Sequence, residues 1–191
     1  MATQLLAADV ASIGAQFQIL KRSEFRGETT LVVERQAILE ICRLCKEQLG
    51  FTYLLDISGV DNFGDEPRFE VVYELYHFER GDHLRLKVSV SEDLLEVPSV
   101  TSLWETADWH ERECFDMFGI VFTGHPDLRR ILMWEGYPFF PLRKDFPLGG
   151  RASDMPDVAF TGVAPLEGGP FVTVPSTGTA KDREPRSREQ S

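Results

Sequence analysis

The sequence predicts an α+β fold, a two-layer domain in which a helix covers an antiparallel sheet, followed by a charged helix and an extended proline-rich C-terminal segment. Three observations carry that expectation. Between residues 51 and 91, three stretches with strand character follow one another at turn-length spacing. Just before them, Gln36 to Leu49 repeats Ile38, Leu39, Ile41, Cys42, Cys45 and Leu49 at helical intervals. After Gly119, finally, Pro126, Pro138, Pro141 and Pro147 interrupt a stretch that is still rich in aromatic and aliphatic residues. Each proline removes a backbone donor and biases its predecessor toward extended geometry, so neither a long helix nor a central strand fits there.

In chain order, Thr3 to Gln16 reads as a short helix and Phe17 to Arg22 as a weak strand. Thr29 to Glu34 is a better one, because Leu31, Val32 and Val33 suit a pleated surface. The helical period then runs from Arg35 to Leu49 and stops at Gly50. A strand from Phe51 to Val60 leads through the turn-forming cluster Asp61-Asn62-Phe63-Gly64-Asp65 into a second, Arg68 to Glu79. In that strand Phe69, Val71, Tyr73, Leu75 and His77 point one way and Glu70, Val72, Glu74, Tyr76 and Phe78 the other. Gly81-Asp82 makes a hairpin connection into His83 to Ser91, where Leu84, Leu86, Val88 and Val90 alternate with Arg85, Lys87 and Ser89. The three strands form an antiparallel meander whose apolar face the Gln36 to Leu49 helix can cover. Pro98 closes this block, and Ser99 or Ser102 is expected to cap a helix ending near Gly119. The chain thus divides into a domain over 1–107, a helix and extended segment over 108–150, and a Gly, Pro and Ser-rich tail over 151–191 whose end has a disordered composition.

A formal net charge of -11 argues against nucleic acid or anionic lipid as the principal partner, since both select basic surfaces. The first twenty residues have no basic start and no continuous apolar stretch, being broken by Gln4, Asp9, Ser12 and Gln16, so no secretory signal is expected. No apolar run reaches the roughly 18 residues a membrane helix needs. Cys42, Cys45 and Cys114 are an odd set that fits a reducing compartment. The C-x-x-C lies inside a helical period, where both thiols pack as small apolar groups. A zinc site would need two further ligands, and a thioredoxin-like dithiol normally starts a helix after a strand.

Asp108, His110, Glu111, Glu113, Cys114 and Asp116 crowd one helix at spacings that include metal-ligand spacing. A carboxylate-bridged di-metal centre would want a second such helix, which the chain does not offer. The helix therefore reads as a surface ion-pair network, with Asp108, Glu113 and Asp116 turned away from the apolar side. No nucleophile with a partnering base can be assigned. Beyond the helix, Arg129, Arg130, Arg143 and Lys144 are set among Phe118, Trp134, Phe139, Phe140 and Phe146. Arginine forks next to aromatic anchors suit a protein interface. A segment this apolar, without a second layer of its own, is expected to lie on another polypeptide.

These residues also resemble a known family, the thirty-kilodalton subunit of the proton-pumping NADH-quinone oxidoreductase, respiratory complex I. The similarity is carried by Glu111-Arg112-Glu113, Asp116-Met117-Phe118-Gly119, His125-Pro126, Arg129 with Ile131-Leu132, and Pro141-Leu142-Arg143-Lys144-Asp145-Phe146-Pro147. It is strongest from Trp109 to Leu148 and extends to the helix-plus-meander layout before it.

The resemblance implies a non-catalytic assembly subunit of the peripheral arm of a complex that passes electrons from NADH to quinone. The FMN and iron-sulfur clusters would sit in other subunits, with none bound by this chain. It further implies that the signature helix and extended segment clamp the forty-nine-kilodalton subunit, with a cluster-bearing subunit and others of the peripheral arm nearby. The chain would then be held at the cytoplasmic side of the cell membrane through the complex. The interface residues so implied are Glu111, Arg112, Glu113, Asp116, Phe118, His125, Pro126, Arg129, Arg130, Trp134, Phe139, Phe140, Arg143, Lys144, Asp145 and Phe146. Two other readings follow from the sequence: the equivalent subunit of a ferredoxin or F420 dehydrogenase or of a membrane-bound hydrogenase, and a free-standing protein using Cys42 and Cys45 for redox or metal chemistry.

Overall fold

The computed structural model describes residues 2–147, with side chains from Leu5 onward. The expected 151–191 tail lies outside the described residues. Helix α1 (Ala2–Gln16) is followed by strands β1 (Ile19–Phe25) and β2 (Glu28–Val33), helix α2 (Ile38–Glu47), then strands β3 (Tyr53–Asp61), β4 (Phe69–His77) and β5 (Asp82–Val90). The five strands form one sheet in the order β1-β2-β5-β4-β3. The antiparallel meander of β3, β4 and β5 is present, with Tyr73 opposite both Ile57 and Leu86.

One pairing departs from the all-antiparallel expectation. β2 runs parallel to β5, with Leu31 opposite Leu86. The cause is α2, whose crossover carries the chain back to the end where β2 began, so that β3 starts in the same direction as β2. Two hairpins then fill the gap between them, and β5, the third strand of the meander, arrives beside β2.

The strands alternate as their sequence does. Phe69, Val71, Tyr73 and Leu75 of β4 and Leu84, Leu86, Val88 and Val90 of β5 are buried with Ile38, Ile41, Cys42 and Cys45 of α2 and Leu6, Val10 and Ile13 of α1. Each large side chain removed from water there contributes about 1.5 to 3 kcal/mol. On the opposite face, polar residues pair across strands, Lys87 with Glu70 at 3.0 Å and Arg85 with Glu74. Such cross-strand pairs hold a solvated sheet face without an apolar cover.

Helix α3 (Ala107–Phe118) starts later than expected. Residues 99–106 form successive turns, in which Leu103 N–H donates to Val100 C=O and Ala107 N–H to Trp104 C=O, and the Trp104 indole donates to the Thr52 carbonyl at 2.9 Å. Neither Ser99 nor Ser102 caps α3; Thr106 stands at its start without a side-chain cap bond. The helix covers the outer strand β3. The Cys114 thiol donates to the Ile57 carbonyl at 3.5 Å, and a Cβ on Gly59 would come within 2.5 Å of the Phe118 ring. A ribbon follows, in which β6 (Glu96–Pro98) pairs parallel with β7 (Val121–Thr123).

Ile120 is fully buried and Phe122 2% exposed, both in the same core as the sheet. The first turn of the apolar strip thus belongs to this chain's own interior, contrary to the expectation that the strip has no layer beneath it. Among the described residues, no helix is long and apolar enough to cross a membrane.

Candidate functional site

The charged helix is not the surface ion-pair network its composition suggests. Glu111 and Asp116 are fully buried and Arg112 is 8% exposed. Period alone cannot separate an acid facing solvent from one facing a hydrogen-bonding cavity. Glu111 accepts bonds from the Ser99 hydroxyl at 2.6 Å and the Val100 N–H at 2.7 Å, which fasten α3 to the end of β6. Burial pushes its carboxyl up to about 7, against the opposing pull of those two donors. Glu113, by contrast, is exposed.

Asp116 organises the start of the extended segment. Its Oδ2 accepts the consecutive backbone N–H groups of Ile131 at 3.0 Å, Leu132 at 2.6 Å and Met133 at 2.8 Å, while Oδ1 takes the Arg130 guanidinium at 2.5 Å. Burial alone would raise this carboxyl, but these four donors outweigh it and hold it below the usual carboxylate range. Arg130 also donates to the Asp116 and Phe139 carbonyls, and Arg112 to those of Arg129 and Arg130. The His125 ring is completely buried, with Nε2 3.2 Å from Asp108. Pro126 is exposed, as is Arg129, which pairs with Asp127 at 2.8 Å where solvent screens both.

A second carboxylate secures the far end of the segment. Asp61, the last residue of β3, is doubly bonded by Arg68, at 2.8 and 2.9 Å, and accepts the Lys144 N–H at 2.7 Å. Arg68 also reaches Asp145 at 2.8 Å and Glu92 at 3.0 Å. The hydrogen bonds from Arg68 keep both Asp61 and Asp145 below their ordinary range. Asp61, Arg68, Glu92 and Ser99 are not among the site residues the sequence points to, Ser99 entering there only as a helix cap and Asp61 only as a turn residue. The one available signal was Asp61 and Arg68 flanking a turn cluster, which reads as loop chemistry until the fold brings Lys144 alongside.

At the turn that ends α3, Gly119 adopts a left-handed φ of 80° and returns its N–H to the Phe115 carbonyl. A Cβ there would lie 2.8 Å from both Arg143 Nη2 and Phe140 Cζ. Arg143 donates through Nε to the Phe118 carbonyl at 2.7 Å, and the Leu142 N–H donates to Met117 C=O. Guanidinium groups and rings alternate across this region. Arg68 lies 4.8 Å from the Phe63 and Phe69 rings, Arg143 5.2 Å from Phe69 and 4.6 Å from Phe140, and Arg130 5.1 Å from Phe140. Tyr137 sits between Trp134 and Phe139 at 4.5 and 5.6 Å.

The result is an ordered surface. Leu132 is 60% exposed and Leu142 52%, while Trp134, Phe139, Phe140 and Phe146 are half-buried and Lys144 and Asp145 are exposed. Of the sixteen residues singled out by the resemblance, those from Arg130 to Phe146 are gathered here, whereas Glu111, Arg112, Asp116, Phe118 and His125 face inward and hold the surface from behind.

The dithiol reading meets a direct obstacle. Cys42 and Cys45 are fully buried, and burial pushes both thiols up, that of Cys45 to about 12. A thiol so buried and protonated offers little thiolate for nucleophilic attack at neutral pH. Among the described residues, no three His, Cys, Asp or Glu side chains are grouped as a metal site.

Comparison with known proteins matches this architecture. Residues 31–152 fit the family described as "Respiratory-chain NADH dehydrogenase, 30 Kd subunit". The chain is 50% identical over 145 residues to an NADH-quinone oxidoreductase subunit of Roseiflexus castenholzii, covering 75% of this chain and 80% of that one. Among solved structures, the trypsin-resistant fragment (1-134) of Nqo5 aligns with a TM-score of 0.56 and 34% identity, over 67% of this chain and all of the fragment. A chain of the archaeal membrane-bound sulfane sulfur reductase, a respiratory membrane complex, aligns with a TM-score of 0.64 and 26% identity, over 74% of this chain and 85% of that one. With the family's pattern running from Leu31 in β2 through β3, β4, β5, α3 and the extended segment, this chain belongs to the 30 kDa subunit family of respiratory-chain NADH dehydrogenase.

Proposed function

We propose that the chain is a non-catalytic assembly subunit of the peripheral arm of a proton-translocating NADH-quinone oxidoreductase, and that residues 128–147 dock on the forty-nine-kilodalton subunit. One observation carries the reading. Exposed Leu132 and Leu142, with half-buried Trp134, Phe139, Phe140 and Phe146, are held in a fixed arrangement by hydrogen bonds to buried Asp116 and Asp61. Fixing side chains beforehand lowers the ordering cost of association, and aromatic and arginine anchors supply most interface energy. The mechanism is adhesion: the sheet and α3 form a rigid base, and the segment presents anchors to the sister subunit.

On this reading, electrons pass from NADH through FMN and iron-sulfur clusters in other subunits to quinone, and one of the cluster-bearing subunits lies close by. The chain is held at the cytoplasmic side of the cell membrane through its partners. Relatives at 44–50% identity that carry the name of an NADH-quinone oxidoreductase favour this complex over the related hydrogenase and ferredoxin machines. Mass spectrometry of what co-purifies with the tagged chain from native membranes tests the proposal. The forty-nine-kilodalton subunit is expected as the main partner and is expected to be lost with the pair Leu132→Asp and Leu142→Asp. Equal recovery from that variant would overturn it.

A further inference from the structure

The arginines of the pinned segment and its base differ in how their charge is met. Arg68 touches three carboxylates, Asp61, Glu92 and Asp145. Arg130 is bonded to Asp116 and to two carbonyls. Among the described residues the Arg143 guanidinium donates a single hydrogen bond, from Nε to the Phe118 carbonyl, and its nearest carboxylate oxygen, on Glu92, forms only a long ion pair with Nη1 at 3.8 Å. Glu92 is already bonded to Arg68. Burial and the neighbouring Arg68 together lower Arg143 from the ordinary arginine range, and the carboxylates of Glu92, Asp145 and Asp61 offset them only in part.

Arg143 lines a pocket of about 140 Å³ with Pro138, Phe139, Phe140, Asp145 and Phe146. Small-molecule pockets begin at roughly 300 Å³, so this one is sized for a single side chain. Three of its lining residues are phenylalanines, and with them stands a guanidinium that has no close carboxylate and whose fork suits one bidentately. Asp145 on the rim does not fill that need, because its carboxylate is bonded to Arg68 at 2.8 Å.

We infer that this pocket receives an Asp or Glu side chain of the subunit on which the segment docks, clamped by the Nη groups of Arg143 between the Phe139, Phe140 and Phe146 rings. The inference rests on the docking reading above and adds the chemistry of its central contact. The carboxylate completes the shell of Arg143, and the rings exclude water from the pair, conditions under which an interfacial ion pair is worth most.

The test uses the full chain in its native membranes, with a photo-crosslinking amino acid in place of Leu142 and Arg143 left intact. The crosslink is expected on the forty-nine-kilodalton subunit, within a few residues of an Asp or Glu. Arg143→Glu is then expected to lower recovery of the assembled complex by about tenfold or more, and reversing the mapped acid to Arg in the same strain to restore it. Restoration also shows that Arg143→Glu folds, because a partner's charge cannot repair a misfolded chain. If that variant cannot be produced, the crosslink map and Arg143→Gln, expected to weaken the salt dependence of dissociation, still decide. Crosslinks to residues 148–191 of this chain, to a stretch of the sister subunit without an acid, or unchanged recovery with Arg143→Glu would overturn the inference alone. Crosslinks to no other subunit would overturn the docking reading itself.

Discussion

The Asp116 carboxylate lies 2.6 Å from the Leu132 N–H, so a buried acid on α3 fixes the backbone that carries the 60% exposed Leu132 side chain of the extended segment. Asp116→Ala would leave Arg130 without its carboxylate and three consecutive N–H groups without an acceptor. Removing one partner of a buried pair costs about 3 to 5 kcal/mol. Denaturant unfolding should register that loss, and limited proteolysis should show new cleavage between residues 128 and 147. A variant as stable and as resistant as the parent would show that Asp116 is no latch.

Glu111 makes stability depend on pH in the opposite sense to the other buried acids. Its folded value of about 7 lies above the ordinary 4.5, so its contribution is complete below 4.5 and is lost as pH rises to about 7. Asp61, Asp116 and Asp145 are lowered from 3.8, so theirs is complete above 3.8 and lost as pH falls through their folded values. The groups facing Glu111 include the Ser99 hydroxyl and the Val100 N–H and, through space, Asp108, Cys42, Tyr73 and Cys114. Glu111→Gln should remove about 3 kcal/mol of pH dependence between pH 4.5 and 8, measured as denaturation midpoints across that range. Parallel curves for parent and variant would assign the dependence elsewhere.

Gly119→Ala combines a left-handed backbone with contacts of 2.8 Å to Arg143 and Phe140. We expect a loss of about 2 kcal/mol or more, with Arg143 displaced from the Phe118 carbonyl. Thermal unfolding reads the first and a structure of the variant the second.

How much of this was legible from sequence follows from the range of each interaction. Strand alternation in Arg68 to Ser91 and the helical period of Gln36 to Leu49 are local, and the elements appear where the pattern places them. The parallel β2–β5 pairing is set by where a crossover returns, which no single segment encodes. The helical period sets Glu111 on the apolar side of α3 but not Asp116, and it shows neither acid's partners, because Ser99 and residues 130–133 are distant in sequence and mostly backbone. Composition reads the whole apolar strip as one interface, and so hides that Ile120 and Phe122 belong to the core while Leu132 and Leu142 are exposed.

Cys42 and Cys45 provide a check on the competing dithiol reading. Their double replacement by alanine should leave the oxidoreductase activity of the membrane complex near that of the parent, at a stability loss of about 1 to 3 kcal/mol from the cavities formed. Loss of activity in a complex that still assembles would revive thiol chemistry.

Trp134→Ala and Phe146→Ala should each weaken association with the sister subunit by about 2 kcal/mol. Both rings are half-buried on the free chain, so its own unfolding midpoint should shift far less than its affinity. Titration of the tagged variants against the sister subunit, paired with thermal unfolding of each chain alone, separates the two effects.

The docking surface is tested most directly by hydroxyl-radical footprinting of the chain, alone and in the purified complex. Oxidation of Leu132, Trp134, Leu142 and Phe146 should fall by about tenfold on assembly, while exposed Phe25 on β1 serves as an internal reference. Equal labelling of those four side chains in both states would place the docking surface elsewhere on the molecule.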